Sequence, residues 1–309
     1  MKNTLLAFCL TAALCLVRPI YADEAATQLQ SLVDKVAPDI VTVKVVMKTA
    51  TNFGGQSQNQ ESKMDLPGVV VDKDGIIMIS NMVFSPSRYM SMLGRGGGDA
   101  GDFKVTPTDF KVLFDQDDKE YTAFLAATDT KLDLAFIKIE NLGDKKLTPV
   151  DFGSTAQASI GQQVVSVNRL HKGYDNAPYF ETTRISGLVS KPRKAYLLDG
   201  GPSGLGLPIF ALTGEPLGVL TTLESGIKDD SLTEGISFSI YTHQFIGGSS
   251  GLLRTFIVPS QTVNGVIGQA KIRAVEVAAE RAKKKTEAPA KSDSKPPAKS
   301  TGKEPPKKQ

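Results

Sequence analysis

Two cysteines and two histidines in 309 residues leave this chain little reactive chemistry. Both cysteines, Cys9 and Cys15, lie inside an N-terminal stretch that reads as a leader. Once it is removed, neither a disulfide nor thiol chemistry remains, and a packed core must supply the stability. His171 and His243 are the whole imidazole supply, and each reads first as an ordinary loop or surface residue. There is no H-E-x-x-H, no C-x-x-C and no other metal-ligand spacing, so metal-dependent hydrolysis has no support and neither metal nor cofactor is expected. The glycine run at 94–98 lacks the Gly-Lys-Ser/Thr ending of a phosphate loop and reads as a flexible insertion. The one long apolar run, residues 5–17, is too short to span a bilayer comfortably.

That run follows Lys2 and is followed by Arg18-Pro19-Ile20-Tyr21-Ala22, which is the layout of a secretory signal peptide over residues 1–22. Leu14 before Cys15 and Phe8 before Cys9 do not make a lipoprotein box. The expectation is export to a periplasm, cell envelope or extracellular space, with no membrane-spanning segment in the mature chain. The net charge of +3 is uneven: residues 281–309 hold ten Lys or Arg against three acids, about +7, and the remainder is mildly acidic. Residues 276–309, rich in Lys, Ala, Pro, Ser and Glu, have little to bury and read as a disordered basic tail. A weak contact with anionic polymers or a membrane surface is the other reading of that tail. It has no aromatic residue for base stacking, so no specific nucleic-acid partner is expected.

Between leader and tail the sequence is dominated by short β-branched stretches. Leu29, Leu32, Val33 and Val36 fall at helical spacing ahead of Pro38, and an alternating strand follows at 40–47. Residues 49–64, full of Asn, Gln, Ser and Gly, read as a polar loop that need not be ordered. Residues 68–72 and 76–79 flank an Asp74-Gly75 turn and form a hairpin. Further strands are expected at 110–114, 121–127, 185–190, 208–212 and 236–240. Ser260 is a candidate N-cap of a closing helix with Val263, Val266, Ile267, Ala270 and Ala274 on one face.

These segments, in this order, resemble the trypsin-like peptidase domain of the HtrA/Deg type. The residues that carry the resemblance are VDKVAPDIVTVKV, GVVVDKDGIIMISNMVF, ATDTKLDLAFIKIE and the glycine-rich DGGPSGLGLPIFALTGEPLGVLT from Asp199 to Thr221. The resemblance implies an all-β chymotrypsin-like fold with N- and C-terminal helices over 23–275. Its two six-stranded barrels are expected at about 38–140 and 150–242, with no room for a PDZ domain.

The resemblance also places the catalytic positions. The histidine falls on Met82, the aspartate on Asp133 and, with Pro208 on the family proline, the serine on Leu205. Ser-His-Asp catalysis needs a nucleophile, an imidazole to take its proton and a carboxylate to hold that imidazole. Two of the three matched residues are apolar, and loss of either serine or histidine costs on the order of 10⁶ in kcat. A two-residue shift makes Ser203 an alternative nucleophile, with only His171 or His243 to serve it.

The reading is an exported, catalytically inactive relative that binds a peptide or protein, or assembles with an active relative or with itself. Two alternatives stand beside it: an active serine endopeptidase with a site relocated to Ser203, and a structural envelope scaffold for the cationic tail.

Overall fold

The computed structural model describes residues 20–53, 56–84, 103–114, 119–191, 193–222 and 255–287. Helix α1 (Ile20–Val36) leads through a short 3₁₀ turn at Ala37–Asp39 into β1 (Ile40–Phe53), β2 (Gln56–Asp72) and β3 (Ile76–Ser80). A second 3₁₀ turn, Met82–Phe84, is followed by β4 (Phe103–Phe114), β5 (Tyr121–Asp129) and β6 (Leu134–Ile139). These six strands close into an antiparallel barrel in the order β1-β2-β3-β6-β5-β4. The second barrel takes β7 (Gln163–Arg169), β8 (Pro178–Val189), β9 (Ala195–Leu198), β10 (Pro208–Ala211), β11 (Pro216–Thr222) and β12 (Thr255–Pro259). It closes in the order β10-β11-β12-β9-β8-β7. Helix α2 (Ser260–Glu287) ends the described chain. The two closed six-stranded barrels and flanking helices are the fold expected from the sequence.

Alternation decides which way each strand faces. In β1, Val41, Val43, Val45 and Met47 point into the first barrel, among Val70, Ile77, Ile79, Val112 and Ile137. The second barrel is filled by Val164, Ile185, Tyr196, Ile209, Leu217 and Ile257. A third cluster joins the two barrels and both helices, from Leu32 and Val36 through Met78, Phe136, Val165, Leu207, Phe210 and Val258 to Val263 and Ala274. Arg169 at the end of β7 adds polar ties to the helix–strand junction, its guanidinium donating to the carbonyls of Ala37, Ile40 and Asn176.

Three local expectations about the strands change. In the polar stretch, residues 49–53 and 56–64 continue β1 and β2, which pair from Ile40↔Val69 out to Phe53↔Gln56. β4 starts at Phe103, well before Phe110, and runs along β1 from Val41↔Phe114 to Thr51↔Phe103. Main-chain pairing thus orders a segment that has few apolar side chains of its own. The second barrel is closed by Thr255–Pro259, which pairs with both β11 and β9, so it ends at Pro259 rather than near 242. Residues 236–240, His243 and the glycines of 94–98 lie outside the described residues.

Helix α2 carries its expected face, with Val263, Ile267, Ala270 and Ala274 buried and Val266 partly so. It extends to Glu287, beyond the expected start of the tail at 276, and Arg281 reaches back to pair with Glu140 at 2.6 Å and lie over Phe124. Ser260 is buried and its hydroxyl donates to the Pro216 carbonyl, which fastens the helix start to β11 in place of the expected cap. Helix α1 begins at Ile20, inside the stretch read as leader.

Candidate functional site

Three segments meet between the barrels: the turn after β3, the turn before β6 and the glycine-rich loop before β10. The loop is pressed against the first barrel's main chain. Gly206 has φ +87°, and a Cβ there would lie 2.4 Å from the Ser80 nitrogen, so only glycine fits. Its N–H donates to the Leu220 carbonyl, and the Leu220 N–H returns a bond to Leu207. Leu207 is fully buried in the cluster between the barrels.

The three matched positions have different environments. Met82 opens the 3₁₀ turn after β3 and is 6% exposed, its N–H donating to Ser80 Oγ at 3.2 Å. Asp133, 1% exposed, has φ +60°, a left-handed conformation that the short polar side chain of Asp tolerates. Its carbonyl accepts from the Asn81 N–H at 2.8 Å. Its carboxylate Oδ2 accepts from Thr222 Oγ1 at 2.7 Å and from Ser80 Oγ at 3.5 Å. The adjacent Thr221 Oγ1 donates to the Leu132 carbonyl at 2.5 Å. Two threonines at the end of β11 therefore grip the turn before β6, and the Thr222 and Ser80 hydroxyls both engage Oδ2 of Asp133. Leu205 is partly buried against the second barrel's own core, among residues such as Ile209 and Leu217.

Ser203 sits on the exposed side of the same loop. Its N–H donates to Glu181 Oε2 at 2.6 Å and its hydroxyl donates to the same oxygen at 2.8 Å. Tyr179 OH is 2.8 Å from Ser203 Oγ and accepts from Asn168 Nδ2 at 3.2 Å. The neighbour of this serine is a carboxylate. His171 is engaged elsewhere: it caps the 3₁₀ turn Lys172–Tyr174, with Nδ1 accepting from the Gly173 N–H at 3.1 Å and its ring against Tyr174.

Acyl transfer also needs an oxyanion hole, which trypsin-like enzymes build from the N–H of the nucleophile and of the residue two before it. On the Leu205 match, those residues are Leu205 and Ser203. The Ser203 N–H is already committed to an anion of the protein's own.

Sequence reasoning missed Glu181, Tyr179, Asn168, Thr222 and Ser80 as parts of this site. The signal was weak but present. Tyr179 and Glu181 alternate along one face of β8, and the register places Asn168 opposite Tyr179. Among the described residues no cluster of His, Cys, Asp or Glu could hold a metal ion, and no helix is long and apolar enough to cross a membrane.

Comparison with known proteins agrees with the double-barrel fold. Residues 67–219 match the trypsin-like peptidase domain. The chain is similar to the probable periplasmic serine endoprotease DegP-like of Hahella chejuensis (strain KCTC 2396), 25% identical over 276 residues, covering 78% of this chain and 48% of that protein. It is likewise similar to the protein of the same description from Marinomonas sp. (strain MWYL1), 26% identical over 234 residues, covering 71% of this chain and 38% of that one. The chain spans about half the length, or less, of these curated relatives. Residues 67–219 thus resemble a trypsin-like peptidase domain, and the chain is similar, at low identity, to the DegP-like proteins.

Proposed function

We propose that this protein is an exported, non-catalytic relative of the HtrA/DegP-like peptidases that acts by binding. Its ligand is a peptide or protein segment taken in the cleft between the barrels, or an active relative or second copy that it joins. The observation that carries the reading is the content of the matched triad. A buried thioether stands for the imidazole, an alkyl side chain stands for the nucleophile, and the remaining carboxylate of Asp133 is held by Thr222 and Ser80. Removing either the serine or the histidine from such an assembly costs nearly as much as removing all three residues. The committed Ser203 N–H supports the same conclusion from the oxyanion side. Export is favoured by the leader-like N-terminus and by the periplasmic description of the two relatives.

The test is direct. The purified protein should leave unfolded casein intact and should not react with a fluorophosphonate probe. It should still bind unfolded segments, as read by fluorescence anisotropy of labelled casein peptides. Stoichiometric labelling at Ser203 would replace this reading with that of an active hydrolase.

A further inference from the structure

We propose that the Ser203 turn is a carboxylate-binding site whose resident anion is Glu181, and that an external carboxylate competes for the same donors. The choice of a peptide C-terminus as that external group rests on the binding role proposed above. The site itself rests on geometry alone.

The donors converge in one direction. Ser203 gives both its N–H and its hydroxyl proton to Glu181 Oε2, at 2.6 and 2.8 Å. With its proton turned to Glu181, the Ser203 oxygen receives the Tyr179 hydroxyl, and Tyr179 in turn receives Asn168 Nδ2. Each bond in this relay polarises the next toward the carboxylate. Among the described residues no lysine or arginine forms an ion pair with Glu181, so neutral donors alone hold the charge. Bonds to an ionised acceptor are the stronger class, and they are short here as that class requires.

A second observation points to a ligand larger than one resident oxygen. Ser166 lies directly opposite Glu181 in the β7–β8 register, and Asn168 lies opposite Tyr179. Residues directly paired across antiparallel strands share one face of the sheet. Ser166 is 2% exposed and its hydroxyl is buried without a hydrogen-bond partner. One face therefore carries Ser166, Asn168, Tyr179 and Glu181, with Ser203 closing over it and one hydroxyl donor still to spare. Ser203 is exposed and Glu181 only half-buried, so the anion at this position can exchange with one from solution.

The experiment follows the Ser203 amide by ¹⁵N NMR in the full mature chain. In the wild type that resonance should lie far downfield, as a short bond to an anion demands. Glu181→Gly should move it upfield, and sodium formate should return it saturably to its original place. The wild type should need roughly 10- to 100-fold more formate for a comparable change, because its own carboxylate competes. Formamide, similar in shape but uncharged, should do nothing. Absence of a saturable formate response, or an equal response to formamide, overturns the proposal. Glu181→Gln keeps the side-chain bulk should the glycine variant fail to fold, and it should respond to formate at intermediate concentrations.

A second arm compares an apolar hexapeptide bearing a free C-terminus with its C-terminal amide, bound to Glu181→Gly. Tighter binding of the free acid supports the site, and equal binding of the two overturns it while leaving a peptide-binding role intact. Formate recovery with no binding of either peptide supports the carboxylate site and counts against that role.

Discussion

At the scale of single residues, the matched triad positions behave as packing and clamping groups. Met82 is buried within the turn after β3, and Leu205 packs partly buried against the second barrel's core. Met82→His and Leu205→Ser each bring a polar group to such a place, at a cost of about 1–3 kcal/mol each. Neither single change should yield detectable casein cleavage, since one lacks a nucleophile and the other an imidazole. Thermal melts and a cleavage assay on both variants check this, and turnover by either single variant would place the working residues elsewhere.

Asp39 offers a different residue-scale test. It lies in the 3₁₀ turn beneath α1, 8% exposed, and burial pushes its carboxyl up to about 7 from an ordinary 3.8. The folded protein therefore holds this proton over a range in which the unfolded chain has released it. The stability linked to it is fully present below about pH 4 and is lost as pH rises toward 7. Asp39→Asn should raise the melting temperature at pH 8 and leave it nearly unchanged at pH 4. Equal effects at both values would mean that the folded carboxyl titrates normally.

Among the elements, α2 is the one whose attachment can be tested alone. Its apolar face packs on the barrels, and Lys271 adds an ion pair to Asp72 at the end of β2. Burial pushes the Asp72 carboxyl up, but the Lys271 ammonium and the Asp74 N–H outweigh it and bring it below the ordinary carboxylate range. The sign is opposite to that of Asp39. This contribution is present above the carboxyl's unfolded value and is lost as pH falls through its lowered folded value. Lys271→Ala should reduce stability at pH 7 by about 1 kcal/mol or less, given a half-exposed lysine. The difference from wild type should shrink as the solution is acidified, which denaturant melts at pH 7 and pH 3 can measure. A constant difference would assign Lys271 a packing role only.

For the whole molecule, the same cluster that joins both barrels to both helices predicts cooperative unfolding. Leu207 and Phe210 of the second barrel share one contiguous core with Met78 and Phe136 of the first. Thr221 and Thr222 add buried polar ties across the same boundary. Neither barrel can open without exposing that shared surface, so calorimetry should record one transition with matching calorimetric and van't Hoff enthalpies. Two resolved transitions would show barrels that are independently stable.

The sequence by itself determined the parts governed by short-range pattern. Alternation fixed the inward face of β1, Asp74-Gly75 placed a hairpin turn where Gly75 has φ +90°, and 3.6-residue spacing selected the buried side of α2. It also determined which atoms the matched catalytic positions carry, since no fold can give Met82 an imidazole or Leu205 a hydroxyl. Tertiary structure decided the remainder, because those features depend on partners distant along the chain. Residues 49–53 and 56–64 lack an apolar alternation of their own and became strands through main-chain pairing between β1 and β2. Thr255–Pro259 became the closing strand because β9 and β11 both presented free edges to it. The Thr222 bond to Asp133 spans 89 residues and the Ser203 bond to Glu181 spans 22. Such bonds are set by how a closed barrel brings strand ends together, and local sequence carries no record of that closure.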